Sequence, residues 1–457
     1  MVQIPLGTSE WESKDYDLAE IRLRNMYIAD NPYSPDGVSR YPRPSLVEHD
    51  KVGSGSGKGI FWQAGVLDNQ FFVVVGEQLW GFFEDSDPYL IGSIPGTETC
   101  QFAGTIDKLV IVRDGVAYAT DGVTIAPIVM PDGDPVGSVA SIDGVFLLSV
   151  LGFYRFYWMN PGESAPDPLN FASAERAPDP IVSINVVADE IWFIGSDSIE
   201  VWAQTGDQDA PYSRIAGRAY TDGLEYRDSV AASSFNGFPC LMWVTNNYEV
   251  VLAQGNPQKI SNEYVEEELR DSTNIRGWAF RRLRNDFYVI STDNKTLVFN
   301  LTKKSWAIWD SYDFSYWRAH LGTQKLDRIY AVDTESNRVF KLEENAFDLI
   351  DDPIVCHVRG FVPLTEGHVP CKSVDIRANQ GWTQSYVTAP VLELSWSDDY
   401  GFTWSEPYQV TFGTKGAYST ELTFRSLGLM ERPGRLFQVS FSGLERFRID
   451  YATMNEV

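Results

Sequence analysis

Seven short apolar runs recur along most of the chain: QFFVVVG from Gln70, KLVIVR from Lys108, GVFLLSV from Gly144, EIWFIG from Glu190, FPCLMWVT from Phe238, DFYVIST from Asp286 and DRIYAV from Asp327. Their starts lie 36 to 48 residues apart. Each run is followed by a turn and a second strand, as in VIVRDGVAYA, WFIGSDSIEVW and MWVTNNYEVVL, where Gly, Asp, Asn and Ser turn the chain between β-branched and aromatic residues. One hairpin per repeat, with room for two more strands, is the spacing of β-propeller blades. A strand covered on both faces reads as a continuous apolar run, as FFVVV and LVIV do, so the runs are expected to be the inner strands of blades. Closing such strands into a ring also removes the long open edges through which they would aggregate.

The expectation is an all-β chain with a β-propeller over residues 59–351. Six or seven blades both fit, because terminal repeats can be shared. Residues 1–58 read as an N-terminal arm leading into it. After residue 351 the pattern changes. SVDIRAN, PVLELSWSDD, YQVTFG, ELTFRS and RLFQVSFSG alternate apolar and polar residues, which predicts a β-sandwich-like domain over 352–457. Helix is scarce, and the best candidate is SNEYVEEELRDS from Ser261, with a Ser or Asn cap and acidic first turns.

Charge narrows the function. Asp and Glu number 63 against 37 Lys and Arg, a net −26, with most of the acidic excess before residue 352. Non-specific DNA binding runs on Lys and Arg displacing counterions, so a DNA partner of this chain would be tolerated, not gripped. The opening MVQIPLGTSEWESKDYD has neither a basic n-region nor an apolar h-region, and no stretch approaches eighteen uninterrupted apolar residues. The chain is therefore expected to be made and kept in a cytosol, without membrane insertion.

Chemical motifs are few. GSGSGKGI from Gly53 superficially suggests a phosphate loop, but Lys58 is followed by Gly59 instead of Ser or Thr and no helix pattern follows. In CHVRGFVPLTEGHVPC, Cys356, His357, His368 and Cys371 are all metal-ligand types. Adjacent Cys356 and His357 on a strand point to opposite faces, so a plain hairpin is the better reading and no metal or cofactor is expected. The densest arginine run, RGWAFRRLRND from Arg276, reads as a solvated outer strand whose alternating positions cannot converge on one ligand. His49, His320, His357 and His368 form no catalytic signature, and no catalytic residue is assigned.

One motif is complete. In WSDDYGFTWSEP from Trp396, the register Ser397-x-Asp399-x-Gly401-x-Thr403-Trp404 is that of an Asp box. Such boxes are familiar from sialidases, which leaves a glycan-binding or glycan-hydrolysing propeller as the alternative function. Sialidases, however, carry a copy per blade, three converging arginines and an activated tyrosine, whereas here a single copy lies in the sandwich region. Its predicted role is to tie a hairpin turn through the Ser and Asp side chains.

Three segments, RLRNMYIADNPYSPDGVSRYPRPSL, IGSDSIEVWAQTGD and NGFPCLMWVTNNYEVVLAQGNPQKISNEYVEEEL, resemble the packaged-DNA stabilization proteins of short-tailed bacteriophages. The resemblance extends from about Arg22 to the C-terminus. It implies a non-enzymatic virion protein of the tail, assembled in the host cytoplasm as a homohexameric tail hub or nozzle beneath the head-to-tail adaptor. It further implies contacts with tail fibres or tailspikes and a tail plug or needle. Double-stranded DNA would pass through the lumen during ejection without sequence-specific binding. The resemblance does not indicate which residues line that DNA channel.

Overall fold

The computed structural model describes residues 2–11, 21–84, 86–207, 210–344, 347–348, 352–365, 367–380, 390–443 and 447–456. Seven four-stranded antiparallel units stand in chain order, from Gly57–Phe61 at the start of blade one to Arg338–Glu343 in blade seven. Among the described residues the count left open by the sequence is therefore seven. The apolar runs form Phe71–Val75, Leu109–Arg113, Val145–Val150, Glu190–Gly195, Phe238–Val244, Asn285–Ser291 and Arg328–Asp333. Each is the second strand of its blade, not the innermost as expected. Hydrogen-bonded on both edges and packed on both faces, a second strand is the most enclosed of the four, and Phe71–Val75 has no exposed side chain. Each fully buried Val or Phe contributes roughly 1.5–3 kcal/mol of transfer free energy.

The ring is closed by the N-terminal part of the chain. Ser45–Lys51 supplies the outermost strand of blade seven, pairing with Arg338–Glu343 from Ser45↔Glu343 to Lys51↔Arg338. Closure thus joins residues almost 300 positions apart.

Earlier N-terminal residues belong to the sandwich. One sheet runs Met26–Asp30, Val38–Pro42, Ile449–Asn455, Ser373–Ala378, Thr423–Arg425, with Val2–Ile4 also paired to Ile449–Asn455. The other runs Leu23–Arg24, Asp352–Pro363, Gly434–Gly443, Val391–Ser397, Tyr408–Thr411. Residues 1–58 are thus shared between sandwich and blade seven in place of forming a separate arm, and residue 351, at the other boundary drawn from the sequence, lies outside the described residues.

Leu23–Arg24 joins the two halves. It pairs in parallel with Ser305–Trp309, the outer strand of blade six, and antiparallel with Asp352–Pro363 of the sandwich. One apolar cluster is continuous across this junction, holding Trp278, Phe287 and Trp309 of blade six with Val358, Val374, Leu392 and Phe437 of the sandwich. The helix Glu263–Arg270 lies between blades five and six. Asn262 caps it by accepting from Val265 N at 2.9 Å, and Tyr264, Val265 and Leu269 are buried. No helix among the described residues is long and apolar enough to cross a membrane.

Candidate functional site

The Asp box occupies the hairpin between Val391–Ser397 and Tyr408–Thr411. Ser397 Oγ accepts from Gly401 N at 2.8 Å and donates to Asp399 Oδ1 at 2.6 Å. Asp399 also accepts from Thr403 N at 2.9 Å and Thr403 Oγ1 at 2.6 Å. Trp404 Nε1 closes the loop on Gly401 O at 2.9 Å. Gly401 has a φ of 106°, open only to glycine at low cost. These hydrogen bonds from Ser397 and Thr403 hold the Asp399 carboxyl down at about 2. Every polar atom of the motif is spent within its own turn. Beside it Arg435, buried beneath the hairpin, grips Asp398 with Nε and Nη2 at 2.6 and 2.8 Å, a bidentate pair the sequence did not single out.

The expected hairpin around Cys356 and Cys371 is not formed. Asp352–Pro363 pairs with Gly434–Gly443 along its length, while Cys371 leads into Ser373–Ala378 in the opposite sheet. Alternation across two faces is better satisfied by a sandwich than by a two-stranded ribbon, because both segments then bury their apolar sides. Cys356 Sγ donates to Asn25 O at 3.3 Å, His357 Nδ1 meets Ser440 Oγ at 2.8 Å, and His368 stands exposed beside Glu431. Burial raises the Cys371 thiol to about 11.

The arginine run is an innermost strand, Arg276–Arg282 of blade six, where an outer strand was expected. It extends from one mouth of the propeller channel to the other. Arg276 stands at one end; Arg282 donates to Leu342 O at 2.8 Å, and Arg281 and Arg284 are exposed at the far end. The arginines are spread along the strand and do not converge.

Two polar constellations were not legible beforehand. The first seals one mouth of the channel. Leading into blade five, the 3₁₀ turn Arg227–Ser229 reaches Thr99, just before blade two, and Gly137, in the first strand of blade three. Arg227 donates to Asp228 Oδ1 at 2.9 Å, Gly137 O at 3.0 Å and Thr99 O at 3.3 Å, and Thr99 Oγ1 donates to Asp228. Ser229 O, which accepts from the buried Tyr288 hydroxyl at 2.6 Å, lies only 2.2 Å from where a Cβ on Gly277 would stand, so the turn can seat here only over glycine. The remaining cavity at this mouth holds about 440 Å³, lined by Glu98, Tyr226, Arg227, Asp228, Asn274 and Arg276 among others.

The second is a lock between propeller and sandwich. Asn25, at a left-handed φ of 55° and 1% exposed, donates to Asp310 Oδ1 at 2.7 Å and Val355 O at 2.8 Å. Its Oδ1 accepts from Asp310 N at 2.8 Å and Arg43 Nε at 3.0 Å. Arg43 is itself buried and donates to Asp310 O at 2.7 Å, and Trp309 Nε1 reaches Met26 O at 3.1 Å. Nearby Arg40, fully buried, donates to Leu6 O, Asp450 O and Asp36. The polar residues of RLRNMYIADNPYSPDGVSRYPRPSL are thus mostly internal fastenings.

Fold and sites together define a self-closed, seven-bladed propeller scaffold whose sandwich is joined to it by the Asn25 hydrogen bonds and a shared apolar cluster. Residues 2–347 match the family model described as "Bacteriophage P22 Gp10, beta-propeller". The chain belongs to this phage stabilisation family and is a phage structural protein. No curated protein matches it. Among solved structures it is similar to the computationally designed Ika8 protein, with 8% identity, 66% of this chain and 99% of that one covered, and a TM-score of 0.41. It is likewise similar to YCF48 from Cyanidioschyzon merolae, with 10% identity, coverages of 65% and 99%, and a TM-score of 0.43.

Proposed function

We propose that the chain is the subunit of a phage tail hub, or nozzle, in short-tailed phages. Copies form a homohexameric ring beneath the head-to-tail adaptor, carry fibres or tailspikes and a plug or needle, and enclose the lumen through which DNA leaves. Family membership over residues 2–347 carries this reading. Two further observations support it. Arg227 bridges blade five's entry to blades two and three, which supports a DNA path between subunits over one through a blade ring. A net charge of −26 suits a lumen wall that repels the duplex and lets it slide, retention then resting on a closed gate and plug.

The role is mechanical and not enzymatic. The glycan alternative rested on the Asp box, whose side chains are consumed in tying their own turn. The experiment is retention. Purified protein added to DNA-filled heads lacking it should protect the genome from added nuclease; heads that lose DNA equally with and without the protein contradict the proposal.

A further inference from the structure

In blades one to six the outermost strand follows the third along the chain; in blade seven the third strand ends at Glu343 and the outermost begins at Ser45. No turn of the chain ties these two strands together, so the ring closes on their ladder and on the side chains of Ser45–Lys51. That ladder is interrupted in its middle. Phe340 faces Glu48 and Val339 faces Asp50, which leaves His49 as the extra residue of a β-bulge. A bulge re-aims its side chain, and here the imidazole lies against the rings of Tyr330 and Phe82, with centroids 5.1 and 5.9 Å away. Tyr330 is in the second strand of blade seven and Phe82 in the third strand of blade one, both within the buried apolar cluster that joins these blades. His49 therefore sits on the seam of the ring.

Its Nε2 is enclosed and has no hydrogen-bond partner among the described residues. Asp50 Oδ2 stands 3.7 Å away, beyond hydrogen-bond reach. The other charges around the ring are engaged or outlying. Glu48 pairs with Arg338 and Lys51, Lys341 on the facing strand pairs with Glu343, and Glu84, just past Phe82, binds Lys325 and Arg328. Asp87, in the turn that follows, is exposed. A proton on Nε2 would place a charge where neither water nor a bonded carboxylate receives it. Burial, opposed by Asp50 and reinforced by Lys341, accordingly holds the imidazole below its ordinary range. A released strand is free of that burial and takes up the proton first, so this contribution is complete above the ordinary 6.5 and is lost as pH falls below it. Asp50 works in the opposite sense. Burial raises its carboxyl, against the pull of His49 and with Asp87 and Glu48 adding to the rise, so its own protonation favours the closed strand in acid.

We propose that His49 is a pH-sensitive latch on the ring: neutral, it packs Ser45–Lys51 onto the seam between blades seven and one, and in mild acid it releases that strand. The opening is local, confined to the outermost strand of blade seven. The proposal stands independently of the tail-hub reading.

Hydrogen–deuterium exchange on the full chain tests it, with the uptake of each segment referred to the unfolded chain at the same pH. From pH 7 to pH 5 the protection of Ser45–Lys51 should fall severalfold, within the roughly thirtyfold that one group of ordinary pKa about 6.5 supplies over that interval. Tyr212–Tyr220, the outermost strand of blade four, should fall less. His49→Phe keeps an aromatic ring against Tyr330 and Phe82 without the titrating group, and should hold the protection of Ser45–Lys51 at pH 5. Asp50→Asn removes the opposing carboxylate and should steepen the wild-type fall. Unchanged protection of Ser45–Lys51 at pH 5, a fall matched by Tyr212–Tyr220, a fall as large in His49→Phe as in wild type, or a shallower one in Asp50→Asn would each overturn the proposal. Should His49→Phe fail to fold, the wild-type and Asp50→Asn measurements decide.

Discussion

Replacing Asn25 with alanine removes the central fastening between propeller and sandwich, and the cost can be worked from its four hydrogen bonds. Two involve backbone groups, Val355 O and Asp310 N, and two involve charged groups, Asp310 Oδ1 and Arg43 Nε. A neutral bond contributes about 1 kcal/mol and a bond to a charged group about 1.5–3, with stranded buried partners at the upper end. Allowing for water entering the gap, the loss is about 4 kcal/mol. Alanine at a φ of 55° adds about 1 kcal/mol of backbone strain, since the left-handed region crowds Cβ against the following carbonyl. Asn25→Gly carries the first loss without the second, so the glycine variant should be the more stable of the two by about 1 kcal/mol. Urea unfolding followed by tryptophan fluorescence reads both, and limited proteolysis should show cleavage between the halves appearing first in Asn25→Ala. An alanine variant within about 1 kcal/mol of wild type would refute the lock.

Asp399→Ala should cost about 1 kcal/mol, discounted because the turn is solvated, with assembly unchanged. Because the folded carboxyl titrates at about 2, its contribution is present above the ordinary 3.8 and is lost as pH falls toward 2; melting curves in which wild type and variant lose stability equally over that interval would remove this account of the motif. Burial holds His320 at about 3 and His357 at about 4, far below the ordinary 6.5. The unfolded chain therefore takes up protons first, so stability is complete above pH 6.5 and declines below it. His357→Asn should flatten that decline in urea titrations at pH 7 and 5, and an unchanged slope counts against it. Gel shifts should show no stable duplex binding at physiological salt and none on lowering the salt; tight low-salt binding lost on neutralising Arg281, Arg282 and Arg284 would sink the sliding lumen. Fluorogenic sialosides and hexosides should remain uncleaved, and turnover abolished by a single carboxylate or tyrosine substitution would overturn the structural role.

The propeller was legible because its second strands are enclosed on every side, which forces unbroken apolar runs such as Phe71–Val75. The closing strand was not. Ser45–Lys51 reads SLVEHDK, an outer strand with one wet face, and carries no run to mark it. The Asp box was readable in full because all its bonds lie within a few residues of sequence. Sandwich pairings such as Val2–Ile4 with Ile449–Asn455 join the two ends of the chain, and nothing local encodes them. The same holds for the candidate sites. Arg40 and Arg43 look like surface residues in the sequence, yet acceptors such as Asp450 O and Asp310 O lie far away along the chain, and the reach of Arg227 to Gly137 and Thr99 has no local signal.

The central claim is that this chain is a ring-forming conduit, and its native mass tests that most directly. Mass measured with and without the purified adaptor ring should show six copies of the 51.5 kDa chain added per adaptor, with an open axial lumen in electron micrographs. A chain that stays monomeric in the presence of its adaptor, or a ring with no lumen, would contradict the account.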